Sequence, residues 1–127
     1  MSAMASGSTA TKRKRVLVCD DERPIVRLIQ INLERQGHTV TCAYNGVEAI
    51  NKLSEQEFDL VLLDVVMPLL DGFEVLKWIR KQPAMAELAV IMLSVRDKDA
   101  DVLEGYQQGA DMYLTKPFNP AQLFSLL

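Results

Sequence analysis

Five residues of this 127-residue chain have the types and positions that phosphate and metal chemistry needs: Asp20, Asp21, Asp64, Ser94 and Lys116. Each closes or directly follows a short apolar run. Asp20-Asp21-Glu22 follows Val16 to Cys19, Asp64 ends Leu60-Val61-Leu62-Leu63, Ser94 follows Leu88 to Leu93, and Lys116 follows Met112 to Thr115. The run into Asp64 stops within four residues at Pro68, the pattern of a strand buried on both faces. In open α/β sheets ligands and chemistry collect at the carboxyl edge, so acids delivered there are candidate functional groups. Three carboxylates within roughly 4 to 6 Å repel by several kcal/mol per pair at an intermediate effective dielectric, so such a cluster needs a cation. Hard oxygen donors without histidine or cysteine suit Mg²⁺ or Mn²⁺, with room left for water and a substrate phosphate. Three acids, one Mg²⁺ and one lysine sum to zero, so an incoming phosphoryl group would meet a neutralised site.

The elements that must position these residues alternate strictly. Val16 to Cys19 reads as a strand. The helix after it has Pro24 in its first turn, Ile25, Leu28, Ile29 and Leu33 at helical spacing, and Gly37 as its stop. Thr39 to Ala43 is a second strand, and Asn45 caps a helix with Gly46, Ala49, Ile50 and Leu53 inward. After the central strand, Asp71 caps a helix whose inner face is Val75, Leu76 and Ile79, closed by Pro83. Leu88 to Leu93 is the fourth strand, Asp97 to Gln108 a helix ended by Gly109, Met112 to Thr115 the fifth strand, and Asn119-Pro120 opens a last helix. Five βα units in one small domain predict a parallel sheet with helices on both faces. The last helix is expected to be cut short at Leu127, as in a piece excised from a longer regulator, with a free-standing domain as the alternative.

Composition narrows the function classes. About half the residues are apolar, enough for one core. No run is long and apolar enough to span a bilayer and no secretory leader is evident, so a cytoplasmic protein is expected. Cys19 and Cys42 fall inside strand-like runs, where buried reduced thiols are expected. The net charge is −3; taking away the +4 of Lys12 to Arg15 leaves −7 for the rest, an acidic body that disfavours nucleic acid. Residues 1–14 read as a disordered or vector-derived tail, with the domain at 15–127. His38, the only histidine, reads as a surface residue at a turn, and Met67 and Met92 as core. Trp78 lies off the inward face of its helix, either a lone surface aromatic or a contact residue.

Taken together, the acidic pair Asp20-Asp21, Asp64-Val-Val-Met-Pro, Asp71-Gly72, Ser94, Gly109-Ala110-Asp111 and Tyr113-Leu-Thr-Lys116-Pro117-Phe118 resemble the receiver domain of bacterial two-component response regulators. The resemblance implies a flavodoxin-like doubly wound (βα)5 sandwich with strand order 2-1-3-4-5. It implies that Asp64 accepts a phosphoryl group from a phosphohistidine on a sensor histidine kinase or phosphotransfer protein. Asp21, Asp64 and the Val66 backbone carbonyl would ligate Mg²⁺ directly, Asp20 through water. Lys116 and Ser94 would grip the phosphoryl oxygens, Tyr113 would turn inward as a switch aromatic, and the Lys116-Pro117 bond would be cis. The face of the fourth helix, fifth strand and fifth helix would then meet a target, an output domain or a second copy in a homodimer, with no membrane or nucleic acid bound by this domain. Such a domain is a phosphorelay element rather than an enzyme with a separate substrate.

Three features depart from the family pattern: Val95 after Ser94, apolar Val66, and Leu69-Leu70 in place of a glycine-containing loop. Rivals fare worse. A flavin binder's phosphate would be repelled by Asp20-Asp21-Glu22, and an aspartyl phosphohydrolase would want an acid where Val66 stands. A degenerate receiver that binds partners without phosphorylation would be expected to have lost the acidic pair, Asp64 or Lys116.

Overall fold

The computed structural model of the chain describes residues 13–95 and 99–127. Most of the expected tail and Asp97, the expected start of the fourth helix, lie outside them. Five strands form one all-parallel sheet: β1 Arg15–Cys19, β2 Thr39–Ala43, β3 Leu60–Asp64, β4 Ala89–Ser94 and β5 Met112–Thr115, in the order β2-β1-β3-β4-β5. Between them run α1 Arg23–Arg35, α2 Gly46–Glu55, α3 Gly72–Lys81, a 3-10 turn Pro83–Met85, α4 Asp99–Gln107 and a terminal α5 Pro120–Phe124. The doubly wound fold and strand order are those the motifs implied. No helix among the described residues is long and apolar enough to cross a membrane.

Alternation along the strands divides the core between the two faces, because successive strand side chains point opposite ways. Leu17, Cys19, Val61, Leu63 and Met92 pack with Ala49, Leu53, Val75, Leu76 and Ile79 on the α2/α3 face. Val16, Val18, Leu60, Leu62, Ile91 and Leu93 pack with Val26, Ile29, Leu33 and Leu123 on the α1/α5 face. Every residue of β3 is buried, which is why it reads as an unbroken apolar run. Cys19 and Cys42 are free thiols, and burial pushes the Cys19 thiol up, away from reactivity.

Local chemistry starts the helices where expected. Asn45 accepts from the Glu48 N–H, and Asp71 forms a capping box with Glu74. Trp78 is half-buried against the α2/α3 core, so it is packing surface rather than a projecting aromatic. One helix face differs from its expected phase. In α1, Val26 is buried while Leu28 is 53% exposed, because the helix turns Val26, Ile29 and Leu33 onto the sheet.

His38 also departs from expectation. It is buried, 4% exposed, and its Nδ1 accepts the Lys14 backbone N–H at 3.1 Å while Thr39 N–H donates to the Lys14 carbonyl. The side chain thus pins the start of β1 to the α1–β2 turn, a use invisible to a reading that saw only a turn. Its Nε2 has no hydrogen-bond partner among the described residues. Burial first, then the Lys14 charge, lowers its pKa below the usual value. A native state that resists the proton is fully stabilised above about pH 6.5, the ordinary unfolded value, and loses that stability as the pH falls below it. The melting-point advantage of wild type over His38→Gln should therefore shrink between about pH 7.5 and 5.5. A constant difference across that window in thermal melts would contradict the buried neutral imidazole.

Candidate functional site: a carboxylate and lysine cluster at the carboxyl edge of the sheet

Parallel register alone brings the site together. Cys19 lies opposite Leu63, so Asp20 follows β1 beside Asp64; Asp64 lies opposite Leu93, so Ser94 comes one residue later; Ser94 lies opposite Thr115, so Lys116 follows that. The two central strands β1 and β3 send their connections to opposite sides, and the crevice opens at that switch point.

Asp20, Asp21 and Asp64 each offer a carboxylate oxygen within 4.8 Å of the others. Asp20 and Asp64 are buried, whereas Asp21 is exposed and faces solvent access. Lys116, with its side chain only 9% exposed, reaches in from the far side: its Nζ lies 2.6 Å from Asp20 Oδ2, 3.2 Å from Glu22 Oε1 and 3.5 Å from Asp64 Oδ2. The Lys116–Pro117 peptide is cis, as implied, and the Lys116 N–H donates to the Ser94 carbonyl. The Val66 N–H donates to Asp64 Oδ1 at 3.3 Å, and the Glu22 N–H to Asp20 Oδ1 at 2.9 Å.

The electrostatics follow from crowding. Burial and then the neighbouring Asp20 push the Asp64 carboxyl up to about 7, against the opposing pull of Lys116 and the Val66 N–H. Burial alone would lower the Lys116 ammonium, but Asp20, Asp64 and Glu22 together hold it above its usual value. The site is thus a set of carboxylates whose charge one lysine does not cover. Its all-oxygen donors, partly buried and open on the Asp21 side, suit a small hard divalent cation.

Two glycines permit close approaches that frame the site. A Cβ on Gly72 would collide with the Asp64 carbonyl, so the start of α3 can lie directly against the end of β3 only without one. A Cβ on buried Gly105 would come 2.9 Å from Tyr113 Cδ2, and glycine inside a helix costs about 1 kcal/mol relative to alanine. The bare spot on α4 is what admits the half-buried Tyr113 ring, which packs on the α2/α3 core. Ser94 is fully buried at the end of β4, while Val66 and Val95 are exposed at the rim. The loop that lacks glycine adopts a left-handed turn regardless, at Leu69 with φ +74°.

Two features escaped the sequence. Glu22 joins the cluster through Lys116, and only its place beside Asp20-Asp21 hinted at that. Arg80 gathers the α3–β4 and α4–β5 connections at the opposite edge of the sheet, with no motif to mark it.

Comparison with known proteins points the same way. The profile of the response regulator receiver domain matches residues 16–127. The alkaline phosphatase synthesis transcriptional regulatory protein PhoP of Bacillus subtilis (strain 168) is 46% identical over 110 residues, covering 87% of this chain. The chain spans 45% of that relative's length. Among solved structures, the receiver domain of Francisella response regulator 1452 superposes with a TM-score of 0.84 at 37% identity, covering 89% of this chain and 92% of that one. Chemotaxis response regulator CheY4 of Vibrio cholerae does so with a TM-score of 0.86 at 33% identity, covering 91% and 96%. A match over nearly all of the sheet and its carboxylate edge makes this chain a member of the response regulator receiver domain family of two-component signal transduction.

Proposed function

We propose that Asp64 accepts a phosphoryl group from a phosphohistidine on a sensor histidine kinase or phosphotransfer protein, and that the product biases the face formed by α4, β5 and α5. The observation that carries this reading is Asp64 itself, buried at the end of the central strand, clustered with Asp20 and Asp21 and 3.5 Å from the Lys116 ammonium.

In this reading an Asp64 carboxylate oxygen attacks phosphorus as the bond to the imidazole nitrogen breaks. Asp21, Asp64 and the Val66 carbonyl would hold Mg²⁺ or Mn²⁺, with Asp20 contributing through a water. Bound there, the cation supplies charge neutralisation for the phosphoryl oxygens and favours the ionised form of Asp64. Lys116 donates to a second phosphoryl oxygen, so the chain contributes mainly position and charge, which is what phosphoryl transfer requires. Ser94 hydrogen-bonds the newly arrived group, and Tyr113 settles behind it.

The shift can be no larger than the difference in interaction between the two arrangements. A hydrogen bond to a charged group is worth about 1.5 to 3 kcal/mol, which corresponds to a population change of roughly ten- to hundredfold. Beryllofluoride with Mg²⁺, a stand-in for the phosphoryl group, should therefore move amide resonances from Tyr106 to Lys116 most strongly outside the site loops. It should also tighten Mg²⁺ binding by supplying another ligand. Changes confined to α1 and α2, with Tyr106 to Lys116 silent, would refute the route from Asp64 to that face. No response anywhere would favour a receiver that works without phosphorylation.

A further inference from the structure

The Lys116 ammonium has three hydrogens and meets three carboxylates, of Asp20, Glu22 and Asp64, at 2.6, 3.2 and 3.5 Å. The contacts are unequal. Charge-assisted N–H···O bonds fall near 2.7 to 2.9 Å, so the lysine is committed to Asp20, held by Glu22 and only loosely engaged with Asp64. Asp20 is fully buried and also occupied by the Glu22 N–H, so it has little freedom to let go. Glu22 differs, with a side chain 58% exposed and water at hand to replace the lysine.

The position of Glu22 in the chain makes this contact notable. It is the N-cap of α1, and its carbonyl accepts from Ile25 and Val26. Its carboxylate caps nothing: no side-chain capping bond forms, and Pro24 leaves the first turn one donor short. Fixed in backbone and unused locally, the side chain instead reaches a lysine 94 residues away. Its charge also changes the balance of the cluster, because four carboxylates against one ammonium exceed what a single divalent cation covers.

We infer that Glu22 is a positioning residue that draws Lys116 away from Asp64 and thereby slows phosphoryl transfer to Asp64. The inference rests on Asp64 being the phosphoacceptor. When a phosphoryl group arrives, Lys116 must move toward it, and the Glu22 contact is the one that yields to solvent. Removing that carboxylate leaves the lysine free to engage Asp64 and its incoming group. The lysine contact, rather than the charge alone, is the operative part.

The test is the rate at which the protein gains one phosphoryl mass from acetyl phosphate at saturating Mg²⁺. Glu22→Gln should label faster than wild type by about three- to tenfold, the effect of one partly screened contact. In a Lys116→Ala background the same substitution should change the rate little, because there is no ammonium to release. Thermal melts should show Glu22→Gln folded as wild type, since Glu22 makes no side-chain cap. Equal rates for wild type and Glu22→Gln would overturn the inference while leaving the phosphoacceptor reading intact. An undiminished gain in the Lys116→Ala background would also overturn it, by showing that the charge acts directly on the donor. If wild type gains no phosphoryl mass, the phosphoacceptor reading fails first and this inference with it.

Discussion

Asp64→Asn should abolish labelling by acetyl phosphate and, in the same protein, raise the stability of the metal-free fold. The two effects have one cause. Asparagine cannot supply the attacking carboxylate oxygen, so labelling should fall by more than about a thousandfold, the scale seen when a reacting group is removed outright. Labelling of Asp64→Asn at the wild-type rate would disprove the assignment. The stability effect follows from crowding. With its carboxyl pushed up to about 7, Asp64 opposes ionisation in the fold while ionising freely in the unfolded chain. Such a group contributes stability that is fully present below its unfolded value near 3.8 and lost as the pH rises through about 7. Above that window, in chelator-treated buffer, asparagine should gain about 1 to 3 kcal/mol over aspartate, and the gain should fade toward pH 4. Under the proposed coordination, saturating Mg²⁺ should reverse the order, because only the wild type would keep the Asp64 ligand. Urea titrations at pH 5 and pH 8, with and without Mg²⁺, separate these contributions. An Asp64→Asn protein less stable than wild type in metal-free buffer at pH 8 would contradict the electrostatic account.

Arg80→Ala should be among the most destabilising single substitutions that leave the phosphoryl chemistry untouched. The Arg80 guanidinium donates to the Gly109 carbonyl at 2.9 and 2.7 Å, to the Leu88 carbonyl at 2.6 Å, and to Asp111 Oδ2 at 3.1 Å. Asp111 Oδ2 in turn accepts the Val90 N–H at 2.8 Å, so one side chain ties the C-terminal part of α3 to the entries of β4 and β5. Only 19% of the Arg80 side chain is exposed. Truncation strands several partly buried acceptors at once, and a loss of about 2 to 4 kcal/mol is expected from urea unfolding midpoints. Arg80→Lys should recover only part of it, since a compact ammonium cannot span Gly109 and Leu88 as a planar fork does. Phosphorylation should proceed normally in the folded fraction, because this network lies at the amino edge of the sheet, opposite Asp64. A loss below about 0.5 kcal/mol would mean that these bonds are readily exchanged for water.

Sequence patterns alone determined the alternation of strands and helices, and with it the fold class. A parallel βα chain must bury its central strand on both faces, and Leu60 to Leu63 show this without any tertiary information. The gathering of the candidate residues at one edge was legible for the same reason. Parallel register delivers every strand end to one edge, so residues after the apolar runs are neighbours by construction of the sheet. Helix starts were legible at Asn45 and Asp71 because capping is decided within four residues.

What only the tertiary structure decided involves partners distant in sequence whose types carry no signature. His38 is buried rather than exposed because Lys14, 24 residues earlier, brings a backbone N–H to its Nδ1. Leu28 faces solvent and Val26 the sheet because the phase of α1 is set by docking, and both residues are apolar enough to fit either side. Arg80 and Glu22 each look like ordinary surface charges until the chain folds. Their partners, Gly109 and Lys116, lie 29 and 94 residues away, and long flexible side chains settle on targets that only the packed sheet brings within reach. Local rules act over a turn or a strand, so they specified the scaffold and the acids it delivers. The balance of charge around Lys116 is a property of the assembled edge.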